Sequence, residues 1–346
     1  MIWLTWRQFR VQLLVVGSVI VAATVVLAVT GPDLANDYQR LADNFIKNLA
    51  FERLDNVLYY VGVALLYAAP PVIGAFWGAP LIARELEAGT HRLVWSQSIG
   101  RRRWLAIKLG VTGLSAIAIT SLLSLAVTWW SKPIDDAINA GQDSNTYLPR
   151  LFPPVFAARG LVPVGYAAFA FALGVAVGLA VRRTLVAVAV TLAAVILVQI
   201  LTPTFIRPHL LAPTEAYITV TADNMRGMML TGTADDLQVK SMEAWTGSVG
   251  AWKLSDQSVD KSGKVLSVLP KWVMNCGPTP PGMPKHTDQD SAACFQRLAD
   301  EGYRQHVKYY DANRFWDLQW REFGLFMLLA FGLTGFSFWR IRRDLS

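Results

Sequence analysis

The sequence is poor in charge. Only 16% of its 346 residues are Asp, Glu, Lys or Arg, whereas a soluble domain carries about a quarter. The hydrophobic fraction is 53% and the mean hydropathy is +0.34. The apolar residues fall in runs long enough to cross a bilayer, which takes roughly 20 residues. The composition therefore excludes an ordinary soluble domain and predicts six membrane spans, near residues 13–30, 57–82, 104–130, 155–181, 185–206 and 323–339.

Several catalytic signatures are also missing. The sequence has no GxxxxGK[ST] phosphate loop, so we expect no ATP site of that kind in this chain. It contains neither HExxH nor GxSxG, which disfavours the familiar hydrolase classes. No basic and aromatic nucleic-acid module accompanies the pI of about 9.5. We therefore expect no catalytic residue, no metal site, no cofactor and no nucleic-acid partner for this chain.

The centres of the predicted spans contain essentially no ionisable residues. Ion-coupled transporters usually need such a residue at membrane depth. If the protein moves a substrate, a partner is therefore expected to supply the energy, although a pathway lined by Ser, Thr and backbone stays open. The same scarcity argues against an integral membrane enzyme, which would need paired polar residues in the spans.

The basic residues indicate the orientation. Six spans place both termini on one side, and that side would hold thirteen of the 32 basic residues but only three of the 25 acidic ones. Basic residues concentrate in cytoplasmic loops, so both termini are predicted to be cytoplasmic. The expected fold class is an all-α polytopic protein of the plasma membrane, with a small mixed α/β extracytoplasmic domain between helices five and six. We expect a membrane domain over 1–206, the extracytoplasmic domain over 207–321, and the sixth span with a cytoplasmic tail over 322–346.

Cysteine is scarce too, and both residues lie in the predicted outer domain. Cys276 and Cys294 enclose 17 residues, and in an oxidising compartment a disulfide between them would stabilise the fold by about 3 kcal/mol. Two free thiols are the alternative, and no CxxC or clustered histidine points to a metal. Within this domain the pattern predicts strands at 217–221 and 264–269 and a helix from 291 to about 309.

Two features of the membrane domain concern packing and lipid. Small residues four apart let another helix approach closely, and spans two and four each carry such a pair. These pairs would serve packing that shifts between subunits or bundle halves, or static packing within the chain. An interfacial helix at the N-terminus, or a plain anchor of the first span, would present rings and cations to the headgroups. The glycine pairs are Gly74 with Gly78 and Gly174 with Gly178; the predicted lipid-interface residues are Trp3, Trp6, Arg7, Arg101, Arg102, Arg103 and Trp104.

The polar loop over 83–103 carries the most specific pattern. Glu85-x-Glu87-x-Gly89-Thr90, followed by the arginines at 101–103, resembles the cytoplasmic loop after the second span of type-2 ABC transporter permeases. The segments 5–8, 91–97 and 314–319 are similar to the actinobacterial branch of that family. The resemblance covers both ends, the six spans and the loop, but not the outer domain in detail.

This resemblance implies the transmembrane permease subunit of an ABC exporter, itself not an enzyme. Two permease subunits, identical or different, would pair with two cytoplasmic ABC ATPase subunits that carry ATP and Mg²⁺. The cargo would be apolar or amphipathic, such as a lipid, an antibiotic or a peptide, and membrane lipids would surround the spans. The loop helix after the second span would be the coupling helix that docks on the ATPase, and the coupling surface would comprise Glu85, Glu87, Gly89, Thr90, Arg92, Trp95 and Gln97.

Three alternatives remain beside this interpretation. The loop is also compatible with a plain positive-inside loop that has a solvated charge run. The whole chain is compatible with an ATPase-coupled envelope sensor whose outer domain binds a ligand, and less well with an integral membrane enzyme.

Overall fold

The computed structural model describes residues 2–49, 53–89, 100–142, 147–233, 236–278 and 287–343. The chain divides into two compact units, one comprising Met1–Leu211 with Phe315–Ser346 and the other Ala212–Arg314. The second unit is therefore shorter at each end than the predicted domain over 207–321. Residues 207–211 and 315–321 belong to the helical unit instead.

The helical unit contains the spans. Among the described residues, six helical segments are long and apolar enough to cross a membrane, as the sequence predicts. Large apolar side chains such as Leu14, Leu185 and Phe331 are 68%, 82% and 69% exposed on the outside of the unit, which suits helices surrounded by lipid. The helices are α1 Ile2–Leu41, α2 Phe45–Leu49, α3 Arg53–Val72, α4 Ala79–Glu87, α5 Arg101–Trp130, α6 Lys132–Asn139, α7 Pro153–Phe156, α8 Val162–Val181, α9 Thr184–Leu201 and α11 Phe315–Arg343.

The start of the first span distinguishes the two interpretations of the N-terminus. Helix α1 runs without interruption from Ile2 to Leu41, which agrees with a plain anchor of the first span and not with a separate interfacial helix. The reason is local, because no glycine or proline occurs between Ile2 and Gly17 to end a helix there.

The second span combines α3, a π-helical stretch over Ile73–Gly78, and α4. Pro70 and Pro71 lie at the end of α3. Proline removes a backbone donor from a helix interior, and π-helical turns often accompany such interruptions. The π-helical stretch positions the glycines of this span against α8.

The four predicted packing glycines contact each other's helices within the chain. A Cβ atom added to Gly174 would lie 2.2 Å from the carbonyl oxygen of Gly74, and one added to Gly178 would lie 2.6 Å from that of Ala79. In the other direction, a Cβ on Gly78 would lie 2.5 Å from the carbonyl oxygen of Phe171. These are backbone contacts, so α8 and the second span approach as closely as only glycine allows.

Helix α8 forms the centre of the helical unit. Most of its side chains are buried, and it packs against the second, third, fifth and sixth spans. Helix α1 packs mainly against α5. The arrangement is a helix bundle in which the central span is apolar on every face, as expected for a buried helix.

Over its described residues, the second unit contains two antiparallel sheets and one α-helix. Strands β1 Thr214–Ile218, β5 Arg304–Tyr310 and β4 Trp252–Val259 pair in that order, and β2 Met225–Thr233 pairs with β3 Asp236–Ala244. The helix is α10, Asp288–Asp300. A mixed α/β unit is thus confirmed, although all three predicted elements differ in detail. The strand expected at 217–221 is β1, which begins at Thr214 and ends at Ile218.

The helix predicted from 291 to about 309 ends at Asp300, and its second half is strand β5. Gly302 has a positive φ of 78° that ends the helix, and alternate residues Gln305, Val307 and Tyr309 are buried, which is the period of a strand. Residues 264–269, all of them described, form no strand beyond one bridge between Val259 and Val265.

The predicted disulfide is confirmed. Cys276 and Cys294 are bonded, with their Cα atoms 5.2 Å apart. Both are buried in the hydrophobic core of the second unit, where the bond joins the 3₁₀ turn Lys271–Cys276 to α10. The two-thiol alternative is therefore excluded.

Candidate coupling site and buried charge pair

Glu85, near the end of α4, points into the bundle. Its carboxylate forms an ion pair with the ammonium group of Lys108 in α5, and the two side chains are only 16% and 6% exposed. The Nζ atom of Lys108 also lies 5.1 Å from the ring centre of Trp104. The contact ties the end of the second span to the start of the third.

Glu87, two residues later, binds the start of the fifth span. Its Oε2 atom accepts a hydrogen bond from the backbone N–H of Thr184, the first residue of α9, at 2.9 Å. The first N–H groups of a helix have no partner within it, and a carboxylate there also suits the helix dipole. The end of the second span thus contacts the third and fifth spans through two acidic residues that are two positions apart.

Helix α4 ends at Glu87, and Gly89 follows its C-cap residue Ala88. The φ of +68° at Gly89 and the hydrogen bond from its N–H to the carbonyl of Leu86, at 3.3 Å, are the features of a glycine that ends a helix. The structure therefore places three of the predicted coupling residues at one end of the bundle. The other four, Thr90, Arg92, Trp95 and Gln97, lie outside the described residues.

The predicted lipid-interface residues separate into two groups. Arg7, Arg102 and Arg103 are exposed and Arg101 is half-buried. Trp104 is only 2% exposed, so its assignment to the lipid interface is wrong. It lies four residues before Lys108 and therefore on the same inward face of α5. The side chains of Trp3 and Trp6 lie outside the described part of the structure.

The opposite end of the bundle contains an ion pair that the sequence analysis missed. The guanidinium group of Arg207 donates from Nε to Glu322 Oε2 at 2.7 Å and from Nη2 to Oε1 at 3.0 Å. Both side chains are 0% exposed. This bidentate geometry is the strongest arrangement for the two groups.

Neighbouring groups complete the hydrogen bonding of this pair. Arg207 Nη1 donates to the carbonyl of Pro153 at 3.1 Å, and the Tyr166 hydroxyl donates to Glu322 Oε1 at 3.2 Å. The ring of Phe156 lies 4.3 Å from the guanidinium carbon. The pair therefore joins the end of the fifth span to the sixth and fourth spans.

One feature of the sequence could have indicated this pair: Arg207 and Glu322 have opposite charges and flank the fifth and sixth spans. From the sequence alone, Arg207 is expected at the start of the outer domain and Glu322 at the edge of the sixth span. Because α11 begins at Phe315, Glu322 lies two turns inside the helix and faces the bundle.

These contacts are suited to holding and moving helices. In the described ranges, no group of three or more His, Cys, Asp or Glu residues could hold a metal ion.

The sequence model of a family described as ABC-2 membrane transporter related matches residues 17–207, more than half of the chain. The chain belongs to this family. Membership in the ABC-2 family indicates a multi-pass transmembrane subunit of an ABC transporter and implies an ABC ATPase as its partner.

The ABC-2 match begins in the first span and ends at Arg207. It includes Glu85, Glu87, Lys108 and Thr184, and it leaves the second unit and the sixth span outside. Comparisons with curated proteins and with solved structures found no match.

Proposed function

We propose that this chain is the permease subunit of an ABC exporter that moves an apolar or amphipathic cargo, such as a lipid, an antibiotic or a peptide, out of the cell. ATP and Mg²⁺ bind to a separate ATPase subunit, and the chain has no nucleotide site of its own. Two permease subunits assemble with two ATPase subunits. The excess of basic residues on the side of the termini supports a cytoplasmic position for them. The disulfide supports an extracytoplasmic position for the unit Ala212–Arg314.

The observation that carries the proposal is the pair of contacts made by Glu85 and Glu87. The segment after Glu87 is the part that resembles a coupling helix, and the two contacts join its base to the third and fifth spans. A displacement of this segment by a docked ATPase would therefore act on both spans at once. In this account Glu85 and Glu87 transmit the movement, and the docking contacts come from the segment beyond them, including Trp95.

The fifth span has polar attachments at both ends. Thr184 binds Glu87 at one end and Arg207 binds Glu322 at the other. Removing one member of a buried ion pair costs several kcal/mol, because the remaining charge stays buried without its partner. We therefore expect the fifth and sixth spans to move together, so that the outward path opens along their outer faces.

Co-purification tests the docking assignment. The chain is expressed with its ABC ATPase, solubilised in mild detergent and isolated through a tag on the permease. Trp95→Ala should reduce the amount of ATPase recovered per permease. The matched control is Trp320→Ala, since Trp320 is 60% exposed near the start of α11, two residues before Glu322. Equal recovery with both variants would contradict docking at Trp95.

The second unit supports one alternative function. It folds around its own disulfide-bonded core, so it could bind a ligand and make the complex an ATPase-coupled sensor. In reconstituted vesicles, ligand-stimulated ATP hydrolysis without movement of any lipid or peptide cargo would favour the sensor over the exporter.

A further inference from the structure

A second buried pair of opposite charges lies near the same end of the bundle as Arg207 and Glu322. Asp135 is in α6, directly after the third span, and Arg159 directly precedes the fourth. The two residues are 7% and 1% exposed. Arg159 Nε and Asp135 Oδ2 are 3.6 Å apart, which is too long for a hydrogen bond. The pair is therefore open, whereas Arg207 and Glu322 form a closed bidentate pair.

Four polar atoms around this open pair have no hydrogen-bond partner within the part of the chain that the structure describes. They are Nε and Nη2 of Arg159, Oδ1 of Asp135 and the hydroxyl oxygen of Tyr59. Tyr59 is 3% exposed, and the guanidinium carbon of Arg159 lies 5.2 Å from its ring centre. The hydrogen bond that Arg159 does make runs from Nη1 to the carbonyl of Ala158 at 3.2 Å. Buried polar groups are nearly always satisfied by protein or by ordered water.

The carboxyl group of Asp135 is also under-compensated. Burial raises its pKa, and the opposing charges of Arg159 and Arg150 only partly offset that rise.

We propose that Tyr59, Asp135 and Arg159 enclose an internal water site. The ligand must both accept and donate hydrogen bonds, because the guanidinium edge offers donors and Asp135 Oδ1 offers an acceptor. Water beside the pair can accept from Nη2 and donate to Oδ1, and the Tyr59 hydroxyl can take either role. Buried waters typically make about three such bonds. The slight exposure of all three side chains excludes a lipid headgroup, which would need an open path.

The site has a structural consequence. It joins the second span to the junction between the third and fourth spans, through Tyr59, Asp135 and Arg159. Bridging water can rearrange without leaving a charge unpaired. Separating Arg207 from Glu322, in contrast, would leave both charges without a partner. This end of the helical unit therefore has one rigid connection and one adjustable connection.

Radiolytic labelling of the full chain in lipid nanodiscs tests the proposal. X-ray pulses convert bound water to hydroxyl radicals, which oxidise adjacent side chains, and mass spectrometry locates the products. The matched control is Tyr166, which is 2% exposed, against 3% for Tyr59, but whose hydroxyl donates directly to Glu322. Tyr59 should be oxidised several-fold faster than Tyr166. Equal, background rates at both tyrosines would overturn the proposal.

A double variant separates site water from bulk solvent. Asp135→Leu combined with Arg159→Met removes the polar atoms while keeping similar volumes, and Tyr59 oxidation should fall to the level of Tyr166. Persistent rapid oxidation of Tyr59, with Tyr166 still unlabelled, would mean that bulk solvent reaches the ring and would also overturn the proposal. If Tyr166 becomes labelled, the variant has unfolded. The comparison of the Tyr59 and Tyr166 oxidation rates in the wild-type chain then decides whether the proposal holds.

Discussion

Replacing Glu322 by leucine should destabilise the helical unit strongly. Both Arg207 and Glu322 are 0% exposed, so solvent cannot compensate the guanidinium charge that the variant leaves behind. Removing one partner of a buried ion pair costs about 3–5 kcal/mol. At about 2–4 °C per kcal/mol for a unit of this size, Tm should fall by roughly 6–20 °C. The Tyr166 hydroxyl also loses its acceptor, which adds to the loss.

Thermal unfolding of the purified chain in detergent, followed by tryptophan fluorescence, measures this change. The double variant Arg207→Leu with Glu322→Leu leaves no buried charge and should recover much of the lost Tm. Asp236→Asn, which breaks an exposed ion pair with Lys271, should leave Tm unchanged. If the single and double variants unfold at the same temperature, the cost does not come from an unpaired buried charge and the reasoning is refuted.

Three further predictions concern packing, the disulfide and acid stability. Gly174→Ala should destabilise the bundle by about 1–3 kcal/mol in the same assay, whereas Gly110→Ala, whose Cβ would meet no described atom within 4 Å, should be neutral or stabilising. Cys276→Ser should cost the second unit about 3 kcal/mol and make its susceptibility to proteolysis independent of reductant. A hydrogen bond from Lys308 holds the pKa of Glu215 below its ordinary 4.5. The stabilisation that the ionised Glu215 gives the second unit is therefore present above pH 4.5 and lost as the pH falls below it. Glu215→Gln should make unfolding less dependent on pH in this acid range.

The spans could be predicted because they depend on composition. Each is a run of apolar residues of bilayer length, and no long-range contact is needed to recognise it. The disulfide was equally accessible, since the chain has only two cysteines. The strand β5 was mispredicted because the local pattern is ambiguous there. In β5, the alternation of buried residues competes with an apolar spacing that also suits a helix.

The polar contacts could not be predicted, because each joins residues far apart in sequence. Arg207 and Glu322 are separated by 115 positions, and Thr184 and Glu87 by 97. Net charge near a span indicates topology, but it does not show whether a side chain faces water or the bundle. Glu85 was therefore expected on a docking surface, although its carboxylate binds Lys108 inside the chain.

The central claim is that Glu87 passes ATPase movement to the fifth span. Coupled ATP hydrolysis tests this claim most directly. The measurement compares wild type and Glu87→Ala, which removes the acceptor of the Thr184 N–H, each assembled with the ABC ATPase in nanodiscs. It records ATPase recovery and stimulation of ATP hydrolysis by the permease. The account predicts normal recovery of the ATPase with Glu87→Ala but clearly reduced stimulation. Unchanged stimulation would contradict transmission through Glu87. Loss of ATPase recovery would instead mean that Glu87 contributes directly to the docking surface.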